Sequence, residues 1–175
     1  MKTTDTRMAD AILEQMEREA PRTRRVLEQI PEGRDDWKPH DRSMPLGRLA
    51  NLVALMPSWA AMIVHQDELD VRPKDGPSAE WSKQGKTRAE LVAAHDKAME
   101  QARAALKNAT DEHLMKPWKL LAAGQVVGED PRHTVLEDTM MHLAHHRGQL
   151  TVYLRLNEAT VPSVYGPTAD DPRFA

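Results

Sequence analysis

Four segments of this chain carry apolar residues at three- and four-residue spacing, a period that suits helices burying one side against each other. The first runs from about Thr6 to Ile30, with Ile12, Met16, Val26 and Ile30 inward and Pro31-Glu32-Gly33 as its stop. Pro21 stands in its middle, where the missing amide predicts a kink. The second starts near Ser43, read as N-cap with Pro45 just inside, and aligns Leu49, Leu52, Met56, Trp59 and Ile63 on one stripe. Pro57 predicts a bend in it. The third follows Thr87, with Glu90 completing a capping box, and ends before Asn108. The fourth opens on Asp130 as cap with Pro131 at its first position, and runs to about Asn157.

Composition agrees with this pattern. Ten Met stand against one Phe, two Tyr and four Trp, and strand formers are sparse beside Ala, Leu, Glu, Lys and Arg. A chain of 175 residues buries roughly 70% of its unfolded surface and needs no staple. The expected architecture is therefore all-α: one four-helix-bundle domain over residues 1–175 with long connecting loops. Residues 67–86 read as one such loop, charged and punctuated by Pro73, Gly76, Pro77 and Gly85. Trp118–Leu121 and Gln125–Val127, flanking Ala-Ala-Gly, read as a small β-hairpin.

Several function classes are excluded. With no cysteine there is no disulfide, thiolate metal site or cysteine nucleophile. A net charge of -3 with both signs interspersed gives no basic footprint for nucleic acid. No glycine-rich phosphate loop and no nucleophile-elbow serine is present. The N-terminus is charged where a secretory signal would be apolar. The most apolar window, Leu49 to Val64, is shorter than the ~20 residues of a membrane span and is interrupted by Asn51, Pro57 and Ser58. It reads as a core helix, with no membrane partner and a cytoplasmic location.

The one dense cluster of chemically useful residues is Met141-His-Leu-Ala-His-His-Arg-Gly-Gln149. At about 100° per residue, His142 and His146 stack on one face with Val135, Thr139, Gln149 and Tyr153, near the middle of the expected buried arc. Arg147 and Arg155 fall toward solvent on that reading. Buried imidazoles need partners. Two readings stand: a divalent metal shared by the pair, or core histidines hydrogen-bonded to carbonyls, tyrosines or carboxylates. His145 reads as a boundary residue, and His40, His65, His95, His113 and His133 as surface or loop histidines. Asp170 and Asp171 read as solvated charge.

The segment His142–Arg155, followed by Val161-Pro-Ser-Val-Tyr-Gly-Pro167, resembles the C-terminal signature of the DinB/YfiT-like family, and Ser43–Ala50 leading into Met56-Pro-Ser-Trp59 resembles its other signature. The resemblance implies a four-helix bundle that commonly forms homodimers and holds nickel, zinc or another divalent ion with three histidines. Two of them fall on His142 and His146. The third position, five residues before the proline of the Pro-x-Trp segment, is occupied here by Leu52, with the polar Asn51 beside it. The resemblance further implies a metal-dependent hydrolase or a thiol S-transferase, with a low-molecular-weight thiol as cosubstrate. The departure at Leu52 implies a degenerate site, and the alternative is a bundle that has lost its metal and binds a small molecule or a protein partner.

Overall fold

The computed structural model describes residues 6–74 and 82–173. Its elements are α1 (Met8–Leu27), α2 (Leu46–Leu55), a 3-10 turn (Met56–Ser58), α3 (Trp59–His65), β1 (Glu68–Asp70), α4 (Arg88–Lys107), α5 (Asp111–Leu114), β2 (Pro117–Ala122), β3 (Gln125–Pro131) and α6 (Arg132–Leu156). The chain is mostly helical, with one small sheet.

The capping box of α4 forms as its sequence predicts, with Glu90 N donating to Thr87 Oγ1 and Thr87 N donating to Glu90 Oε2. Pro57 cannot donate an amide, and the second helix changes there from α2 through a 3-10 turn to α3. Helix α1 continues through Pro21. Other starts differ from expectation. α2 begins at Leu46 with Pro45 at the cap position, so Ser43 lies outside it. β3 runs through Asp130 and Pro131, and α6 begins at Arg132. A strand that leads straight into a helix leaves no room for the side-chain cap expected of Asp130.

Gly47 shows why the second-helix motif holds a glycine. A Cβ at this position would meet Asp35 Oδ1 at 2.5 Å, and Gly47 N itself donates to Asp35 O. The loop before α2 is thereby pressed onto its first turn.

Two apolar clusters fill the interior. One joins α1, α3, α4 and α6 through Ile12, Met16, Ile63, Met99, Leu106 and Met140. The other joins α1, α2 and α6 through Leu27, Leu49, Leu52, Val53, Leu150 and Leu154. The stretch Leu46–His65 is long and apolar enough to pass for a membrane span by composition, yet it is 67% buried within this core.

The expected hairpin is present and longer than the sequence suggested, and a third strand joins it. β1, inside the segment read as loop, pairs in parallel with β2, giving the order β1-β2-β3. Asp70 explains the extra strand. Its carboxylate accepts from the amides of Ala123 and Gly124 in the hairpin turn and from Arg72 N. Ala123 and Gly124 both have positive φ, as a tight two-residue turn demands. Gly76 and Pro77 of the same loop lie outside the described residues.

His95 corrects one expectation. It is not a surface histidine but sits in α4 at 1% exposure, with Nε2 3.2 Å from Ala20 O of α1. Burial holds its pKa below the ordinary histidine value, against the pull of the Ala20 carbonyl, Asp96 and the Ala54 carbonyl. The unfolded chain therefore binds the His95 proton more readily than the folded one. His95's share of stability is present above about pH 6.5 and is lost as pH falls toward the folded value. His95→Gln should flatten the fall in urea midpoint between about pH 6.5 and 5. A slope equal to wild type would show that His95 contributes none of it.

Candidate functional site

Helix α6 is turned about a quarter-turn from the orientation that the sequence suggested. Its buried residues are Arg132, Leu136, Met140, Leu143, Arg147, Leu150, Tyr153 and Leu154. His142 and His146 therefore stand at the edge of the buried face, the first exposed and the second half-buried. Arg147, expected in solvent, is 1% exposed. Charge alone argued for the outside, but this guanidinium has a built receptor. It donates to Thr23 Oγ1 at 3.0 Å, to Glu19 Oε2 at 2.5 Å and to Tyr165 Oη at 2.5 Å. Tyr165 Oη in turn donates to Glu19 Oε2. Burial pushes the Glu19 carboxyl up, but Arg147, Tyr165 and Arg22 outweigh it and hold it below the usual range.

The C-terminal segment is tied down by further bonds that correct the reading of Asp171 as solvated charge, while Asp170 stays exposed. Asp171 is buried and accepts from Ser163 N, and Asp170 accepts from Val161 N and pairs with Arg155.

The two histidine rings meet through their Nε2 atoms at 2.8 Å, and His146 Nδ1 lies 2.8 Å from Gln149 Oε1. The amide oxygen can only accept, so Nδ1 of His146 carries a proton and its Nε2 a lone pair. His142 Nε2–H then donates to His146. Burial, and next the neighbouring imidazoles, lower the pKa of His142; burial lowers that of His146 against the pull of Gln149. Both rings are thus neutral at neutral pH. Trp59 and His142 meet edge-to-face, with ring centroids 5.7 Å apart, which gives the tryptophan of the second signature its place.

This arrangement allows a test of the implied metal. Two nitrogens bound about 2.0–2.1 Å from a tetrahedral zinc stand about 3.3 Å apart. The rings here would have to open by about half an ångström, and His142 would have to move its proton to Nδ1. Gln149 already holds His146 in the tautomer that a metal requires. The third donor is the difficulty. Tyr153 Oη donates to Met44 O, and Trp59 meets His142, so α2–α3 run antiparallel to α6 and the Leu52–Leu55 turn lies at about the level of His146. Leu52 is buried in the apolar cluster. Asn51, the other candidate, is fully buried and donates through Nδ2 to Lys83 O. Among the described residues no three His, Asp or Glu side chains converge as a metal-holding group. The residues present fit a two-nitrogen contact and not a three-histidine centre.

Beside His142 a cavity of about 310 Å³ opens between α3, the sheet and α6. Trp59, Ile63, Trp118 and Leu120 form much of its apolar wall. Asp130 and Asp138, both exposed, border it. The sequence reading singled out neither aspartate nor Gln149 as a site residue. Asp138 lies one helical turn before His142, so the signal was the row Asp138, His142, His146. The strand residues needed the register: Trp118 pairs with Asp130 and Leu120 with Gly128, so these four share the cavity face. The site's platform, Arg132, was also unforeseen. It is 2% exposed and donates to Ile63 O, Pro117 O and Gln66 O and pairs with Asp67, bolting the end of α3 to β2.

The family model of the DinB family matches residues 1–173. The chain belongs to the DinB family. Among solved structures, a DinB-like protein from Bacillus cereus ATCC 10987 superposes with a TM-score of 0.69 at 21% identity, covering 89% of this chain and 97% of that one. A DinB-like protein from Bacillus subtilis gives a TM-score of 0.62 at 19% identity, covering 86% and 93%. At these identities the likeness establishes the shared fold alone. No protein of curated function matches the chain. For this DinB-family member, the resemblance noted on His142–Arg155 and Val161–Pro167 now has a physical basis. The two parts of that signature meet where Arg147 and Tyr165 share Glu19.

Proposed function

We propose that this DinB-family chain binds a small, largely apolar molecule in the cavity beside His142, and that the His142–His146 pair is a degenerate form of the family's metal centre. The observation that carries the reading is Leu52. It occupies the third-ligand position as part of the packed core, 7% exposed, while the cavity stands open next to the histidines. On this reading the chain keeps the family's four-helix bundle and has lost the metal-dependent activity.

A nickel or zinc ion then finds two imidazoles and no third strong donor, and its affinity is low. Calorimetric titration of the protein, purified without chelator, with Zn²⁺ and Ni²⁺ tests this. Weak binding that His142→Ala abolishes is expected. A stoichiometric ion that survives purification would overturn it and support a second reading, a working metal-dependent hydrolase or thiol S-transferase. Gln149, which already orients His146 as a ligand, favours that second reading.

The protein is proposed to act as a homodimer. Met141, Val152 and Leu156 are 62%, 56% and 53% exposed along the outer side of α6, an apolar stripe that a second copy would cover by a two-fold axis. Sedimentation at micromolar concentration should give twice the 19.8 kDa chain mass, and Val152→Glu should halve it. A wild-type monomer at every concentration would remove the proposal.

A further inference from the structure

We propose that the ligand of the cavity is an organic cation, an apolar body seated against Trp59 and Trp118 with a protonated amine turned toward Asp130 and Asp138. The inference rests on reading the cavity as a ligand site and adds the chemical class of what enters it.

The strand register decides which charges face the cavity. Side chains directly opposite in an antiparallel pair lie on the same face, so Trp118 and Asp130 share the cavity side with Leu120 and Gly128. Lys119 and Glu129 pair one residue along, on the alternate face of the strands; Glu129 still borders the cavity, and Lys119 does not line it. On α6, Asp138, Val135, Thr139 and His142 form one continuous arc along the cavity wall. Thr139 spends its hydroxyl proton on Val135 O. Arg132, the closest guanidinium in sequence, is held by the backbone carbonyls of Ile63, Pro117 and Gln66 and by Asp67. The charged residues that border the cavity are carboxylates, Asp130, Asp138 and the neighbouring Glu129, with no ion pair among the described residues. Two indoles add faces that attract a cation over an alcohol of the same shape. An anionic ligand would meet repulsion from these carboxylates and no lysine or arginine among the described residues that line the cavity.

Gly128 leaves the room. A Cβ there would touch only Leu120 Cβ, at an ordinary 3.8 Å, so a larger side chain is accommodated by the strand and projects into the cavity.

The probes are 1-adamantanemethylamine, 1-adamantanemethanol and 1-adamantanecarboxylate, titrated at pH 7 and followed by tryptophan fluorescence, since Trp59 and Trp118 line the cavity. The amine should bind at least tenfold more tightly than the alcohol, the carboxylate least, and only the amine should weaken with added salt. Asp130→Asn with Asp138→Asn should bring the amine to the level of the alcohol while leaving the alcohol unchanged. Gly128→Leu, with an unaltered thermal melt, should abolish binding of both. Amine and alcohol binding equally would overturn the cation class and leave the cavity standing as a ligand site. None of the three binding at millimolar concentration, or binding indifferent to Gly128→Leu in a folded variant, would overturn the cavity reading and the class with it.

Discussion

Removing Glu19 should destabilise this protein more than removing Arg147, and each loss should be large, on the order of 3–5 kcal/mol. The two form one buried pair, with side chains 15% and 2% exposed. Their remaining partners are unequal. Glu19 keeps a second cation in Arg22, 2.5 Å away, when Arg147 is replaced. When Glu19 is replaced, Arg147 keeps only neutral partners, Thr23, Tyr165 and the backbone carbonyl of residue 19, because Tyr165 offers a hydroxyl and not a charge. Glu19→Ala thus strands a buried guanidinium, while Arg147→Met leaves a carboxylate that is still paired. Urea denaturation followed by circular dichroism gives both values. The double variant Glu19→Ala/Arg147→Met should cost less than the sum of the two, because the second change removes the charge that the first left unpaired. Costs below 1 kcal/mol for both single variants would mean that the network behaves as a surface pair. Tyr165→Phe reports the tail's part separately, since it deletes one hydroxyl from both charges and leaves their contact in place.

Arg147 also marks where the sequence stopped being legible. Helix periodicity and punctuation located α1, α4 and α6, and the capping box of α4 was readable to the residue because it is a local rule with local partners. The turn made by Pro57 was readable for the same reason: a missing amide acts within its own helix. What failed was rotation of a helix about its axis. Placing His142 and His146 mid-core put Arg147 toward water. Glu19, the residue that makes the opposite placement stable, lies 128 positions earlier. Asp70 and β1 repeat the lesson, since the strand exists where a carboxylate meets a turn 53 and 54 positions away. His95 fits the same pattern, with its partner Ala20 75 positions off. Contacts of that range leave no trace in local spacing.

The candidate site divides along the same line. The pair His142 and His146 was legible because i, i+4 spacing is local, and the structure does bring their Nε2 atoms together. The cavity beside them was not, because its walls come from α3, three strands and α6 and depend on the strand register. Gln149 was within sight as part of the same motif, yet its role depends on which nitrogen of His146 it meets, and spacing does not specify that.

Leu52→His should give a protein whose melting temperature rises steeply with zinc or nickel, where the weak binding proposed for the wild type moves it little. The Leu52–Leu55 turn stands at about the level of His146, and His146 already has its Nδ1 engaged by Gln149, so a third imidazole enters a half-organised site. An ion bound only by the folded state stabilises by RT ln(1 + [L]/Kd), about 4 kcal/mol at a thousandfold excess over Kd. For a domain of this size that is roughly 8–16 °C. Two effects oppose the gain. A polar ring replaces a leucine packed in the core, so the metal-free variant should be less stable than wild type by about 1–3 kcal/mol. The His142–His146 hydrogen bond must also open to admit the ion. The first lowers the baseline and the second weakens binding, so more metal is needed, but neither reverses the sign of the metal-induced rise. Thermal melts of wild type and variant, each with EDTA and with excess Zn²⁺ or Ni²⁺, separate the terms. The expected pattern is a variant below wild type in EDTA and well above its own EDTA value with metal, with wild type moved little. An equal metal-induced rise in wild type would show that the native chain already supplies a third ligand, and the degenerate-site reading would end there.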